Sequence, residues 1–384
     1  MPSLSPDRGS VSLRDSSAWP ALDLVKFLCV LWMILLHTFF WVATEYGYIT
    51  FNAGGRAFGA MRYLMVLGFF PLMLPVTAGC AFRLSLSPNA SLPRLDRAAM
   101  RRVLVTSALI CCAGFAMNVL SAGLKVVFAW NVLQLVVCSY LVIGAVLTIL
   151  PVAALIPVAV ANLVATPFLR HSLSGHESYW TLAMIGRVPS GFGWPLFPWI
   201  AAVVFGFLIS DAYLHFGARP RFAHALLAGG AVLTIIPLAD GTFIPALDRM
   251  NLMGARLFNP PPTFILGVMG VSAICLAAAT FLSPVVWWRR HGIVASFSKG
   301  ILWVYVCHMI VGTRLYEFLH MHYRREGPLM DAGPLLGPAI AIAFPLLLIA
   351  ASWATGYAVI RLFGEKFIHV TVRRRGEREQ LAPQ

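Results

Sequence analysis

The stretch PALDLVKFLCVLWMILLHTFFWVA, residues 20–43, decides the fold. It is long enough to cross a bilayer, whose hydrocarbon core takes about 20 apolar helical residues. Within it stand the ionisable side chains Asp23, Lys26 and His37. A signal-peptide core is shorter and ends at a small-residue cleavage site. This run has neither property and reads as a retained first membrane helix.

The rest of the chain repeats the pattern. Of its 384 residues 59% are hydrophobic and 11% charged, and the mean hydropathy is +0.79. An ordinary soluble domain carries about a quarter charged residues, so soluble Rossmann and barrel folds, disordered chains and collagen-like chains are excluded. The formal charge of +14 would point to nucleic acid in a soluble protein. Here the basic residues gather in loops between apolar runs, as cations do when they set topology against anionic lipid. The lipid bilayer is the expected partner, and nucleic acid is not.

Apolar stretches bounded by Pro, Gly and charge predict helices at 20–43, 57–82, 102–121, 127–149, 150–168, 193–214, 223–240, 262–286, 297–319 and 335–362. Pro151 alone punctuates the fourth and fifth. The predicted fold class is all-α, a polytopic integral membrane helix bundle of about ten transmembrane helices. The expected divisions are an amino-terminal cytoplasmic segment (1–19), a transmembrane domain (20–365) and a basic cytoplasmic tail (366–384). Outside the spans, 18 Lys and Arg fall on the side of the termini and 10 on the other. The positive-inside rule then places both termini in the cytoplasm, in an inner (plasma) membrane. All seven cysteines lie in apolar runs without metal-ligand spacing and read as small buried hydrophobes, so neither disulfide nor metal is expected.

In such a bundle the informative residues are those whose burial is costly. Lys26 and His37 are eleven residues apart. Eleven steps of about 100° bring them to one helix face, with a rise of about 16 Å between them. Asp23 stands one turn before Lys26, at ion-pair spacing. A cation near one surface and an imidazole deeper in the membrane suit an elongated anion whose reactive end is carried inward. The plainer alternatives are that Lys26 snorkels to the headgroups and that His37 hydrogen-bonds a neighbouring helix.

Leu22-Asp23-Leu24-Val25-Lys26, followed by ten residues and His37, resembles the signature that opens the acyltransferase-3 family. That signature usually has Arg at the position of Lys26, and Lys keeps the charge but loses the bidentate fork. Further segments resemble the related heparan-α-glucosaminide N-acetyltransferases. They are the basic run Arg97 to Arg102, Asn131-Val132-Leu133-Gln134 with Tyr140, Trp194-Pro195-Leu196-Phe197-Pro198-Trp199 with Gly206, and Ser298 through Tyr305 to His308.

The resemblance implies a membrane acyltransferase that takes an acyl group, usually acetyl, from cytoplasmic acyl-CoA as co-substrate. It delivers the group to a hydroxyl or amino group, often of a glycan on the far side. In that reading Arg94, Arg97, Arg101, Arg102 and Lys26, with Asp23, form the mouth that holds the CoA phosphates. His37 acts as general base or as a nucleophile forming a transient acyl-imidazole. His308 is the second catalytic candidate, with an oxyanion or acceptor role beside a purely structural one.

Tyr305, Asn131, Gln134, Glu177 and Trp194 are the candidate substrate contacts. Asn131 and Gln134 also fit interhelical polar contacts, Trp194 an interfacial anchor, and Glu177 a solvated loop. Arg314 and Glu317 form an expected i, i+3 ion pair. A transporter or flippase is the rival function, since polar residues in a bundle also mark substrate pathways. No inverted repeat or matched pair of broken helices supports it, and a scaffold would not need ionisable groups stacked on one helical face.

Overall fold

The computed structural model describes residues 19–52, 69–86, 94–176, 178–186, 194–217, 219–241, 259–282, 294, 297–298, 300–323 and 336–359. Each of the ten apolar stretches holds a helix, although residues 57–68 of the second lie outside the described residues and its helix is only 13 residues long: α1 (Pro20–Asn52), α2 (Leu74–Leu86), α3 (Arg97–Ala122), α4 (Val132–Ile149), α5 (Leu155–Ser172), α6 (Leu196–Phe216), α7 (Pro220–Ala239), α8 (Pro262–Leu282), α9 (Ile301–Tyr323) and α10 (Leu336–Val359). No strand occurs among the described residues, and the protein is an all-α polytopic bundle. Among the described residues seven helical stretches, in α1 and α3 to α8, are long and apolar enough to cross a membrane. In α2, α9 and α10 the apolar portions are shorter: Leu74–Leu86, Ile301–Leu315 and Leu346–Ala358.

Local chemistry sets the helix ends. Asp96 caps α3 by accepting from the Ala99 amide at 2.7 Å, and Gly123, at a φ of 86°, terminates it. Asn131 opens α4 with a capping box in which the Gln134 side chain answers the Asn131 amide. Pro151 divides α4 from α5 because proline has no amide hydrogen and holds the preceding residue extended. Leu150 accordingly sits at φ −118° and ψ 157°.

Packing then depends on small residues. A Cβ on Gly79 of α2 would fall 1.9 Å from the Val203 carbonyl oxygen of α6, and one on Gly206 would fall 1.9 Å from that of Val76. The two backbones touch through these glycines, and the Cys80 thiol donates across the seam to the Gly206 carbonyl at 3.1 Å. Gly230 of α7 and Gly270 of α8 make a second close approach, with 2.7 Å from a Gly230 Cβ to the Gly270 oxygen. On the outside, Val160, Val164 and Phe168 form one exposed apolar face of α5, as lipid requires.

α1 lies within the bundle, packed on α2, α8, α9 and α10. Asp23, Lys26 and His37 therefore meet other helices. α9, which also packs on α3 and α10, brings its own polar residues to α1.

Candidate active site

His37 of α1 and His308 of α9 are in direct contact. The Nδ1 of His37 and the Nε2 of His308 are hydrogen-bonded at 2.9 Å. The two rings lie nearly parallel, 5° apart, with centroids separated by 5.2 Å. His308 is fully buried, and its Nδ1 lies 3.3 Å from the Val304 carbonyl oxygen one turn back. The Tyr305 ring meets the His308 ring edge-on at 5.3 Å. Two residues proposed separately from sequence thus form one unit.

A cavity of about 120 Å³ adjoins this pair through Tyr305. Lys26 of α1, Thr77 and Ala78 of α2, Ile110 of α3, Tyr140 of α4, and Ile301, Leu302 and Tyr305 of α9 line it. Most of the polar lining is already spent on the helices. Thr77 donates to the Leu74 carbonyl at 3.0 Å, and Tyr140 donates to the Ala78 carbonyl at 2.9 Å while stacking on Phe82. Lys26 supplies the cavity's cation. Asp23, one turn away, accepts a hydrogen bond from the Ser298 hydroxyl just before α9, which ties the start of α1 to the start of α9.

The arginines occupy a different level. Arg94, Arg97 and Arg101 are exposed at the start of α3, and Arg102 reaches the Leu86 carbonyl at 3.5 Å. Ile110 stands eight residues further along the same helix, a rise of about 12 Å. Four cations at a helix N-terminus oppose the helix dipole, which favours anions there. A polyanion docked on them would relieve that repulsion.

Other sequence-predicted residues lie elsewhere. Asn131 donates to Asn118 at 3.0 Å, and Asn118 donates to the carbonyls of Val127 and Ala129. This network closes the turn between α3 and α4. Gln134 is buried with its Nε2 unpartnered, directed at Gly114 of α3. Trp194, at a φ of 65°, packs against Trp199 and accepts from Trp130 Nε1 at 2.9 Å through its carbonyl. Glu177 lies outside the described residues. Arg314 does pair with Glu317, at 2.7 Å, and also donates to the Leu120 carbonyl, fastening α9 to the end of α3.

Among the described residues is an ion pair that sequence reasoning missed. Arg83, one of the 18 cations counted outside the predicted spans because it follows the span 57–82, lies inside α2, is fully buried, and donates to Asp211 of α6 at 2.6 Å. Removing it from the loop count leaves 17 basic residues against 10, so the expected orientation is unaltered. The available signal was Asp211 itself, an acid inside an apolar run, which calls for a partner just as Asp23 does. Tyr140, noted only for its place in a motif, is part of the cavity wall.

Residues 19–237 match the family described as heparan-alpha-glucosaminide N-acetyltransferase, catalytic. That is more than half of the chain. The chain belongs to this family. It is an acetyltransferase-type membrane enzyme. No significant similarity to a curated protein or to a solved structure was found. Asp23, Lys26, His37, the α3 arginines and the Asn131 to Tyr140 segment fall within the match. Tyr305 and His308 lie beyond it, and the packing of α9 on α1 is what brings them beside His37. Nothing in the fold or the family favours the transporter reading.

Proposed function

We propose that this acetyltransferase moves an acyl group, acetyl in the first instance, from cytoplasmic acyl-CoA to a hydroxyl or amino group of a glycan or similar acceptor across the membrane. The observation that carries the reading is the hydrogen-bonded pair His37 and His308 beside a cavity that holds Lys26. The α3 arginines take the CoA phosphates at the surface, and Lys26 meets the donor deeper in the bundle. The uncharged pantetheine arm suits an apolar cavity and carries the thioester to the imidazoles. His37 acts as general base on the acceptor as it attacks the thioester carbonyl. Both termini face the cytoplasm of an inner (plasma) membrane, and Glu177 and Trp194 belong to the acceptor side.

The test uses purified full-length protein in lipid vesicles with acetyl-CoA labelled in the acetyl group. A panel of amino sugars, neutral glycans and lipid-linked sugars serves as acceptors. Acceptor-dependent release of CoA thiol together with label on the acceptor is the expected result. Intact protein that releases no CoA with any acceptor would overturn the reading.

A further inference from the structure

Building on the acyl-transfer reading, we propose that His308 is a positioning residue for His37. It fixes the tautomer that leaves the lone pair on Nε2 of His37, and it receives the Nδ1 proton when His37 takes one up.

The assignment follows from which atoms can donate. A carbonyl oxygen only accepts, so the contact between His308 Nδ1 and the Val304 oxygen requires a hydrogen on that nitrogen. A neutral imidazole has one N–H and one acceptor nitrogen, so the Nε2 of His308 is the acceptor. That Nε2 is hydrogen-bonded to the Nδ1 of His37 at 2.9 Å, so the hydrogen between them belongs to His37 Nδ1. The Nε2 of His37 therefore carries the lone pair. Both rings are neutral in this arrangement, as suits His308 at 0% exposure, where an unpaired charge is costly.

A base oriented by a third group is a recurrent catalytic device, in which the orienting group is often a carboxylate. Here an imidazole takes that place, so the resting site buries no permanent charge. The near-parallel rings and the Tyr305 edge hold the nitrogens in register for a proton shift.

The acceptor oxygen or nitrogen bonds to the thioester carbonyl carbon, and its proton goes to Nε2 of His37. The Nδ1 proton of His37 passes to Nε2 of His308, placing the positive charge on the ring whose Nδ1–H is already held by Val304. The carbon–sulfur bond breaks and CoA leaves as thiolate. The thiolate takes a proton from Nε2 of His37 while the shifted proton returns to Nδ1.

The experiment is nitrogen NMR on full-length protein labelled with ¹⁵N-histidine in lipid, joined to kinetics of His308→Phe and His308→Gln. In the wild type, His37 is expected to show a protonated Nδ1 and an unprotonated Nε2. In His308→Phe it is expected to become a mixture of tautomers. His308→Phe should lower kcat by about 10²- to 10⁴-fold, the usual contribution of positioned acid–base groups, with little change in donor KM. His308→Gln can accept from Nδ1–H through its amide oxygen but cannot take the proton, so its loss should be smaller. A wild-type His37 protonated at Nε2, a tautomer unmoved by His308→Phe, or full activity in His308→Phe would overturn the proposal. If His308→Phe fails to insert, the wild-type spectrum and His308→Gln decide it. The tautomer is read without donor or acceptor, so failure of the acyl-transfer reading is distinguishable from failure of this one.

Discussion

The guanidinium of Arg83 and the carboxylate of Asp211 meet at 2.6 Å inside the bundle, although 128 residues separate them in the chain. Arg83 is wholly buried and Asp211 is 17% exposed. The pair joins α2, which supplies Thr77 and Ala78 to the cavity, to α6 at the end opposite Trp199. Losing one partner of a buried pair strands the other charge at about 3–5 kcal/mol, whereas replacing both with apolar groups of similar volume is often neutral. Arg83→Met and Asp211→Leu should each lower the unfolding temperature sharply, and the double variant should recover much of it. A double variant as unstable as the sum of the singles would show that the two residues act separately.

His37→Ala should abolish acyl transfer while leaving a normally inserted protein. A single imidazole removed from a long apolar helix does not threaten insertion, and the loss of a positioned base costs about 10²- to 10⁴-fold. Expression, gel-filtration profile and CoA release are the measurements. Activity within a few-fold of wild type would remove His37 from the mechanism.

For Lys26 the kinetics separate donor binding from snorkelling. Lys26→Met should raise the KM for acyl-CoA with less effect on the acceptor KM, as when a donor contact is lost. Lys26→Arg should be tolerated because the charge stays in the cavity wall. Added salt should weaken donor binding less in Lys26→Met than in wild type, since one fewer cation faces the donor. An unchanged donor KM in Lys26→Met would return Lys26 to a merely interfacial role.

Topology is tested by thiol labelling from either side of the membrane. Ala98 and His176 are both exposed, at the start of α3 and beyond the end of α5. With both termini cytoplasmic, Ala98→Cys should react with a membrane-impermeant maleimide only in inverted vesicles and His176→Cys only in intact cells. The reverse pattern would invert the orientation drawn from the basic residues.

The sequence by itself determined the class of the protein and the place of its helices. A helix in lipid must satisfy its own backbone, so a span is written in one continuous apolar stretch with its breakers. Pro151, Asp96 and Asn131 act within one turn of their own position, and each is where a helix ends or begins. The single face shared by Lys26 and His37 was legible for the same reason, since helical geometry relates residues a few turns apart. The partners were not. His37 meets His308 across 271 residues, Asp23 meets Ser298 across 275, and Arg83 meets Asp211 across 128. No periodicity encodes such pairs, because they depend on which helices lie side by side. That choice is made by backbone approaches such as Gly79 against Val203 and by the enclosure of α1 among α2, α8, α9 and α10. Only the packed bundle turned two separate histidines into a hydrogen-bonded pair, and an apolar stretch of α2, α3, α4 and α9 into one cavity around Lys26.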